Sequence, residues 1–136
     1  MIRIKVGGLA AREIQSLATE IGKGRVDVQV VTDIAGVREV AQGRADYYFG
    51  ACATGGGGAL SMAIAVLGYS RCFTASTAGS PPKEEDIEKA VWEGKIAFGF
   101  ATDHIALAVP LIMKAILARD TRGESHDLNN LASGRL

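Results

Sequence analysis

The sequence predicts an α/β domain in which a five-stranded parallel sheet lies between two layers of helices. Two patterns carry that prediction. Five short β-rich runs alternate with five stretches whose apolar residues recur at helical spacing, and glycine or a capping residue marks most of the junctions. A third observation is size: 136 residues suffice for one domain with a real core.

The elements follow in order. Ile2 to Val6 is a β-branched run broken by Gly7-Gly8. From Ala10 to Ile21, the residues Ile14, Leu17, Ala18 and Ile21 share one helical face, and Gly22 stops the helix. Val26 to Val31 is the second strand. Thr32-Asp33 then caps a helix carrying Val37, Val40 and Ala41, ended by Gly43. Ala45 to Ala51 is the third strand, Ala59 to Leu67 the third helix, and Arg71 to Ala75 the fourth strand. Ser80-Pro81-Pro82 opens a fourth helix with Ile87, Ala90 and Val91 buried, stopped by Gly94. Lys95 to Ala101 is the fifth strand, and Thr102 or Asp103 caps a last helix running to about Ala118. The domain is thus expected over residues 1–119, with 120–136 a polar tail, flexible or ordered by a partner.

Crossovers between parallel strands are nearly always right-handed, which leaves few topologies. The expected strand order is 2-1-3-4-5, the flavodoxin-like variant of the Rossmann-like three-layer α/β/α architecture.

Composition narrows the function. Fifteen basic residues balance fifteen acidic ones, so the basic excess of a nucleic-acid binder is missing. Only Cys52 and Cys72 are present, without a CxxC, which argues against a disulfide framework or zinc site and for a reducing cytoplasm. The longest nearly uncharged stretch, Ala45 to Ser70, is broken by glycines into strand, loop and helix, so no membrane insertion is expected.

The richest segment is DYYFGACATGGGGALSMAIAV, residues 46–66. In an open parallel sheet, ligands bind beyond the carboxyl ends of the strands where the order reverses. Under the expected order that crevice lies between strands one and three, flanked by Gly7-Gly8 and by Thr54-Gly55-Gly56-Gly57-Gly58. Glycine permits positive φ and close approach, so backbone N–H groups can converge on one point beside the first turn of the third helix. That chemistry suits a phosphate or carboxylate, with Thr54 adding a hydroxyl; the alternative is that the glycines serve tight packing. No lysine follows the glycines, and Ser61 stands where G-x-G-x-x-G needs its last glycine, so neither a P-loop nor a dinucleotide fingerprint is present. No metal or cofactor is expected.

Cys52 ends the third strand beside a helix N-terminus, where a thiol acts as base or nucleophile, or else is a small buried hydrophobe. Cys72 reads as core. His104, after strand five, is a candidate acid; the expected order puts it two strands from strand three, ~10 Å away. Asp33, Ser76 and Thr77 share this edge and read as caps and turn residues. Helices three and five are apolar over more than one face, which predicts a homo-oligomer.

The residues Asp46-Tyr47-Tyr48, Gly50-Ala51-Cys52, Thr54-Gly55, Gly57, Ala59-Leu60-Ser61, Ala63-Ile64-Ala65 and Gly68-Tyr69, with Lys95, Ala97-Phe98-Gly99, His104 and Pro110, resemble the small bacterial YhfU-like proteins of uncharacterised function. That resemblance covers about residues 2–117 and implies a place in small-metabolite chemistry. Cys52, Thr54 and Gly55 are also similar to the glycine-loop pattern of type-B ribose-5-phosphate isomerases, which would make Cys52 a base acting on a sugar phosphate. That family's Asp-His pair after strand one is replaced here by Gly7-Gly8-Leu9. The expectation is therefore a protein binding a small anionic metabolite at the loop. The alternatives are an isomerase-like enzyme using Cys52, or a structural subunit without a ligand.

Overall fold

The computed structural model describes residues 1–55 and 57–132, with 124–132 as backbone only. Its elements run β1 (Ile2–Gly8), α1 (Ala11–Gly22), β2 (Val26–Val30), α2 (Asp33–Ala41), β3 (Tyr47–Cys52), α3 (Gly57–Leu67), β4 (Cys72–Thr74), α4 (Glu84–Trp92), β5 (Ala97–Ala101) and α5 (Ile105–Ala132). All strand pairs are parallel, as expected for strands joined by helices.

The strand order is β2-β1-β3-β5-β4, not 2-1-3-4-5. Burial explains the exchange. All five residues of β5, Ala-Phe-Gly-Phe-Ala, are buried, as an interior strand of a parallel sheet requires. The three-residue β4, with Thr74 exposed, suits an edge. The arrangement keeps every crossover right-handed: α1 and α4 serve the leftward steps on one face, while α2 and α3 serve the rightward steps on the other.

The two faces have separate cores. On one, Ile14, Ala18, Ile87, Val91, Val109, Ile112, Met113 and Ile116 pack against Ile4, Val6, Phe49, Phe98 and Phe100, with Phe49 and Phe98 edge-to-face at 6.1 Å. On the other, Val37, Val40, Leu60 and Ala63 pack on Tyr48, Cys72 and Ala97. Most of the apolar breadth of α5 is buried within the chain, because this helix lies on the sheet between α1 and α4, while Leu107 is 55% exposed.

Local chemistry sets the boundaries. The Thr32 hydroxyl accepts from Ala35 N at 3.2 Å and starts α2, as its capping sequence predicts. Helix α4 starts at Glu84 rather than at Ser80-Pro81-Pro82. Thr77 and Ser80 exchange backbone hydrogen bonds of 3.1 and 2.9 Å, and each residue before a proline is kept out of the helical region. No Thr102 or Asp103 side chain caps α5; residues Thr102–His104 form a 3-10 turn that leads into it. The helix also continues past Ala118. The Arg119 guanidinium donates to Val91 O at 2.9 Å, and Arg25 reaches Leu117 O, Asp120 and Thr121, so the first residues of the expected tail are held to the domain.

Candidate functional site

Three in-strand glycines lie side by side across the sheet: Gly7 of β1 pairs with Gly50 of β3, which pairs with Gly99 of β5. A glycine inside a strand marks a close approach. Here the approaching element is the first turn of α3. A Cβ on Gly50 would lie 2.8 Å from the Ala59 carbonyl oxygen, and one on Gly99 2.7 Å from Leu60 Cγ. The glycine row thus seats the N-terminus of α3 directly on the end of β3.

Cys52 is the last residue of β3 and is half-buried. Its neighbours in register are on β5, where Cys52 pairs with Ala101. The chain turns sharply after it. Gly55 takes φ +72°, and its N–H reaches both Cys52 O at 3.3 Å and Cys52 Sγ at 3.1 Å. The Thr54 hydroxyl lies 3.9 Å from the sulfur. Partial burial pushes the thiol up, yet hydrogen bonds from the Thr54 side chain and from the backbone N–H groups of Thr54, Gly55 and Ala59 outweigh it. The thiol is held below its ordinary value of 9.0. The Gly55 N–H and the Thr54 hydroxyl thus both lie against the Cys52 sulfur. Cys72, by contrast, is buried in β4, and burial pushes its thiol up.

The four loop glycines have different surroundings. Gly55 is buried: a Cβ there would meet Ser76 O at 2.2 Å and Ala101 N at 2.7 Å. Gly58 is exposed, and a Cβ there would lie 3.8 Å from Cys52 Sγ. Gly57 is the first residue of α3, and Gly56 lies outside the described residues. On the other side of β3, Gly8 takes φ +81° and a Cβ would meet Ala51 O at 2.6 Å, while Leu9 N donates to that oxygen. Gly7 is closed in by the Tyr48 hydroxyl and the Asp33 backbone. Gly7 and Gly8 thus serve close packing between β1, β3 and α2.

The exchanged strand order moves His104. It follows β5, so it stands beside the β3 end rather than two strands away. Its Nδ1 lies 3.1 Å from Ser76 Oγ, and that oxygen accepts from Ala101 N at 3.1 Å. Ser76 is only 4% exposed. With Ala101 N–H on one lone pair, Ser76 Oγ still shares a hydrogen bond with Nδ1, whose direction follows the histidine tautomer. Ser76, read from the sequence as a turn residue, thus orients the histidine, and Ala78 N closes the same corner by donating to Thr54 O at 2.7 Å. Asp103 and Thr77 stay at the rim. In all, the fold brings together Cys52, Thr54, Gly55, Ser76 and His104.

Comparison with known proteins matches residues 2–116 to the family described as protein of unknown function DUF2620. The chain belongs to this family. The match takes in all five strands and the buried part of α5. Relatives include proteins named "Uncharacterized protein YhfU" from Escherichia coli strain K12 and from Shigella flexneri. Each is 39% identical over 113 residues, covering 83% of this chain and 97% of the relative. Membership brings no activity with it. No helix among the described residues is long and apolar enough to cross a membrane, and no group of three or more His, Cys, Asp or Glu among them is placed to hold a metal ion.

Proposed function

We propose that the chain binds a small anionic metabolite at the carboxyl end of β3, where Cys52 is the reacting group. The observation that carries this reading is the set of hydrogen bonds from Thr54, Gly55 and Ala59 that holds the Cys52 thiol below its ordinary value. Three features of the site support it. The N-terminus of an 11-residue helix provides a positive dipole end for a phosphate or carboxylate, beside Gly55, Gly57 and Gly58. A thiol with a depressed pKa is a competent proton acceptor or nucleophile near neutrality. His104, oriented by Ser76, offers an N–H as proton donor on the neighbouring strand. Loops after β1 and β5 leave toward one face and the loop after β3 toward the other, so the chain direction switches on both sides of β3, the kind of position at which α/β sheets bind ligands.

Iodoacetamide alkylation of Cys52 tests the reading. Inorganic phosphate, at constant ionic strength, is expected to slow the reaction in a saturable way. An alkylation rate independent of phosphate would overturn it. In a metabolite panel, Cys52→Ser is expected to lose turnover while keeping binding.

We infer that self-association runs through α3 and the adjoining β4 edge. Val66 is 45% exposed and Tyr69 78% exposed there, an apolar surface with no intramolecular cover. A dimer in sedimentation that Val66→Asp converts to monomer supports this; a monomeric wild type refutes it.

A further inference from the structure

The two edges of the sheet are finished differently. At β2, Arg25 O accepts from Ile2 N at 3.0 Å and Val31 N donates to Val6 O at 2.9 Å. Peptide groups alternate sides along a strand, so those of Val26, Val28 and Val30 turn outward. The Gln15 side chain closes that row at its centre, where Nε2 donates to Val28 O at 2.8 Å. At β4 the inward bonds are Ile96 N to Arg71 O at 2.9 Å and Ala75 N to Gly99 O at 2.7 Å, so Cys72 and Thr74 face outward. Cys72 N–H donates to Tyr69 O in the 3-10 turn Tyr69–Arg71. Among the described residues nothing closes the rest of this row: the Cys72 carbonyl and the N–H and C=O of Thr74. An open row of this kind is a template for another strand.

The charges beside the open edge select its partner. On the α4 face, half-buried Phe73 packs edge-to-face on Phe98 at 6.4 Å. Toward the carboxyl end of β4 the groove beside Phe73 is lined by Lys83 and Asp86, and toward the amino end by Glu93 and Lys95. Neither Lys83 nor Asp86 makes an ion pair among the described residues. Lys89, midway along α4, is already paired with Glu93 at 3.8 Å. A two-fold axis reverses the strand direction, so it sets Lys83 and Asp86 of one copy against Glu93 and Lys95 of the other. Each cation then meets an anion. On the opposite face, exposed Tyr69 borders a second groove with Leu60, Ile64 and Cys72.

We propose that two copies of the chain pair antiparallel along β4 with the two-fold axis at Phe73, joining two five-stranded sheets into one continuous sheet. In this register Phe73 faces its own counterpart as a non-hydrogen-bonded pair, and Cys72 faces Thr74 of the other copy. Each Thr74 N–H donates to Cys72 O across the axis. The two Phe73 rings stack on the α4 face, and the Tyr69 side chains flank the junction on the α3 face. The proposal rests on the self-association inferred above and gives it a geometry. The Gln15 cap on Val28 O keeps β2 out of the same kind of contact, and the reversed order of charge suits a second copy rather than an arbitrary strand.

Cross-linking and sedimentation test the pairing. In Phe73→Cys the two new thiols occupy the closest kind of cross-strand pair, with Cα atoms ~4.5 Å apart, inside the ~4.4–6.8 Å that a disulfide spans. Mild oxidation is expected to give a covalent dimer whose bridge mass spectrometry places between the two residues 73. Thr74→Pro removes the outward N–H and leaves the bonds to β5 intact, so the chain keeps its circular dichroism spectrum. Its dimer dissociation constant is expected to rise about ten- to hundred-fold, the worth of two neutral hydrogen bonds. A wild-type dimer whose affinity a folded Thr74→Pro chain retains, or a folded Phe73→Cys dimer that forms no such bridge, overturns the edge pairing and leaves self-association through α3 standing. A monomeric wild type overturns both.

Discussion

Gly55→Ala probes whether the turn after β3 is fixed by close approach or only by backbone conformation. Two penalties apply. An L-residue at φ +72° costs about 1–2 kcal/mol in the left-handed region. The new methyl would also lie 2.2 Å from Ser76 O and 2.7 Å from Ala101 N, both backbone atoms of neighbouring segments, and forced packing of that kind adds about 1–3 kcal/mol. Together they come to roughly 2–5 kcal/mol, a large part of the ~5–15 kcal/mol that holds a domain folded. For a chain of this size the drop in Tm is about 10 °C. Gly43→Ala is the internal control: it has φ +75° but nothing within 4 Å of a Cβ, so only the first penalty applies and Tm falls by about 4 °C. Differential scanning calorimetry of both variants, with the Cys52 pKa followed in parallel, reads the difference. Because Gly55 N donates to the sulfur, the thiol in Gly55→Ala is expected to rise toward 9.0. Equal Tm losses in the two variants, with the Cys52 pKa unmoved in Gly55→Ala, would refute the account of this turn.

Other outcomes follow from the same geometry. Gly50→Ala should push the first turn of α3 off the sheet, lowering Tm by several degrees and raising the Cys52 pKa, which calorimetry and thiol titration will show. Tyr48 favours its neutral form in the fold, so its contribution is complete below the ordinary phenol value of 10.0 and is lost as pH rises toward about 12. Chemical denaturation between pH 9 and 12 should show that alkaline loss in the wild type and less of it in Tyr48→Phe. Cys52 has the opposite sign: its folded pKa is lowered, so its contribution is absent at low pH, grows as pH rises through the folded value and is complete above 9.0. Cys52→Ser should flatten that rise.

Much of this was legible in the sequence, and the part that was not has a common physical origin. The alternation of apolar runs and helical periods located every strand and helix, with bounds within a few residues except at the end of α5, which runs to Ala132 rather than to about Ala118, and Thr32 marked its cap correctly. Cys52 and the glycines after it stand out because four consecutive glycines directly before an apolar helix leave its first N–H groups open to whatever approaches. The exchange of β4 and β5 was also written in the chain, in the uninterrupted apolar run Ala97–Ala101 against the short Cys72–Thr74, but it was outweighed by the preference for sequential neighbours. What stayed hidden depends on register. Nothing local reveals that Gly7, Gly50 and Gly99 align, that Ser76 meets His104, or that the Tyr48 hydroxyl ends over two glycines. The in-strand glycines Gly50 and Gly99 were the available signal, since each marks a place where something approaches closely.

The most direct measurement is the ionisation of the one thiol left in a Cys72→Ala chain, followed by thiolate absorbance across pH. If the backbone at the mouth of α3 holds Cys52 as described, that thiol ionises below 9.0, and Gly55→Ala in the same background moves it upward. A Cys52 that titrates at or above 9.0 and ignores the loop would contradict the central claim.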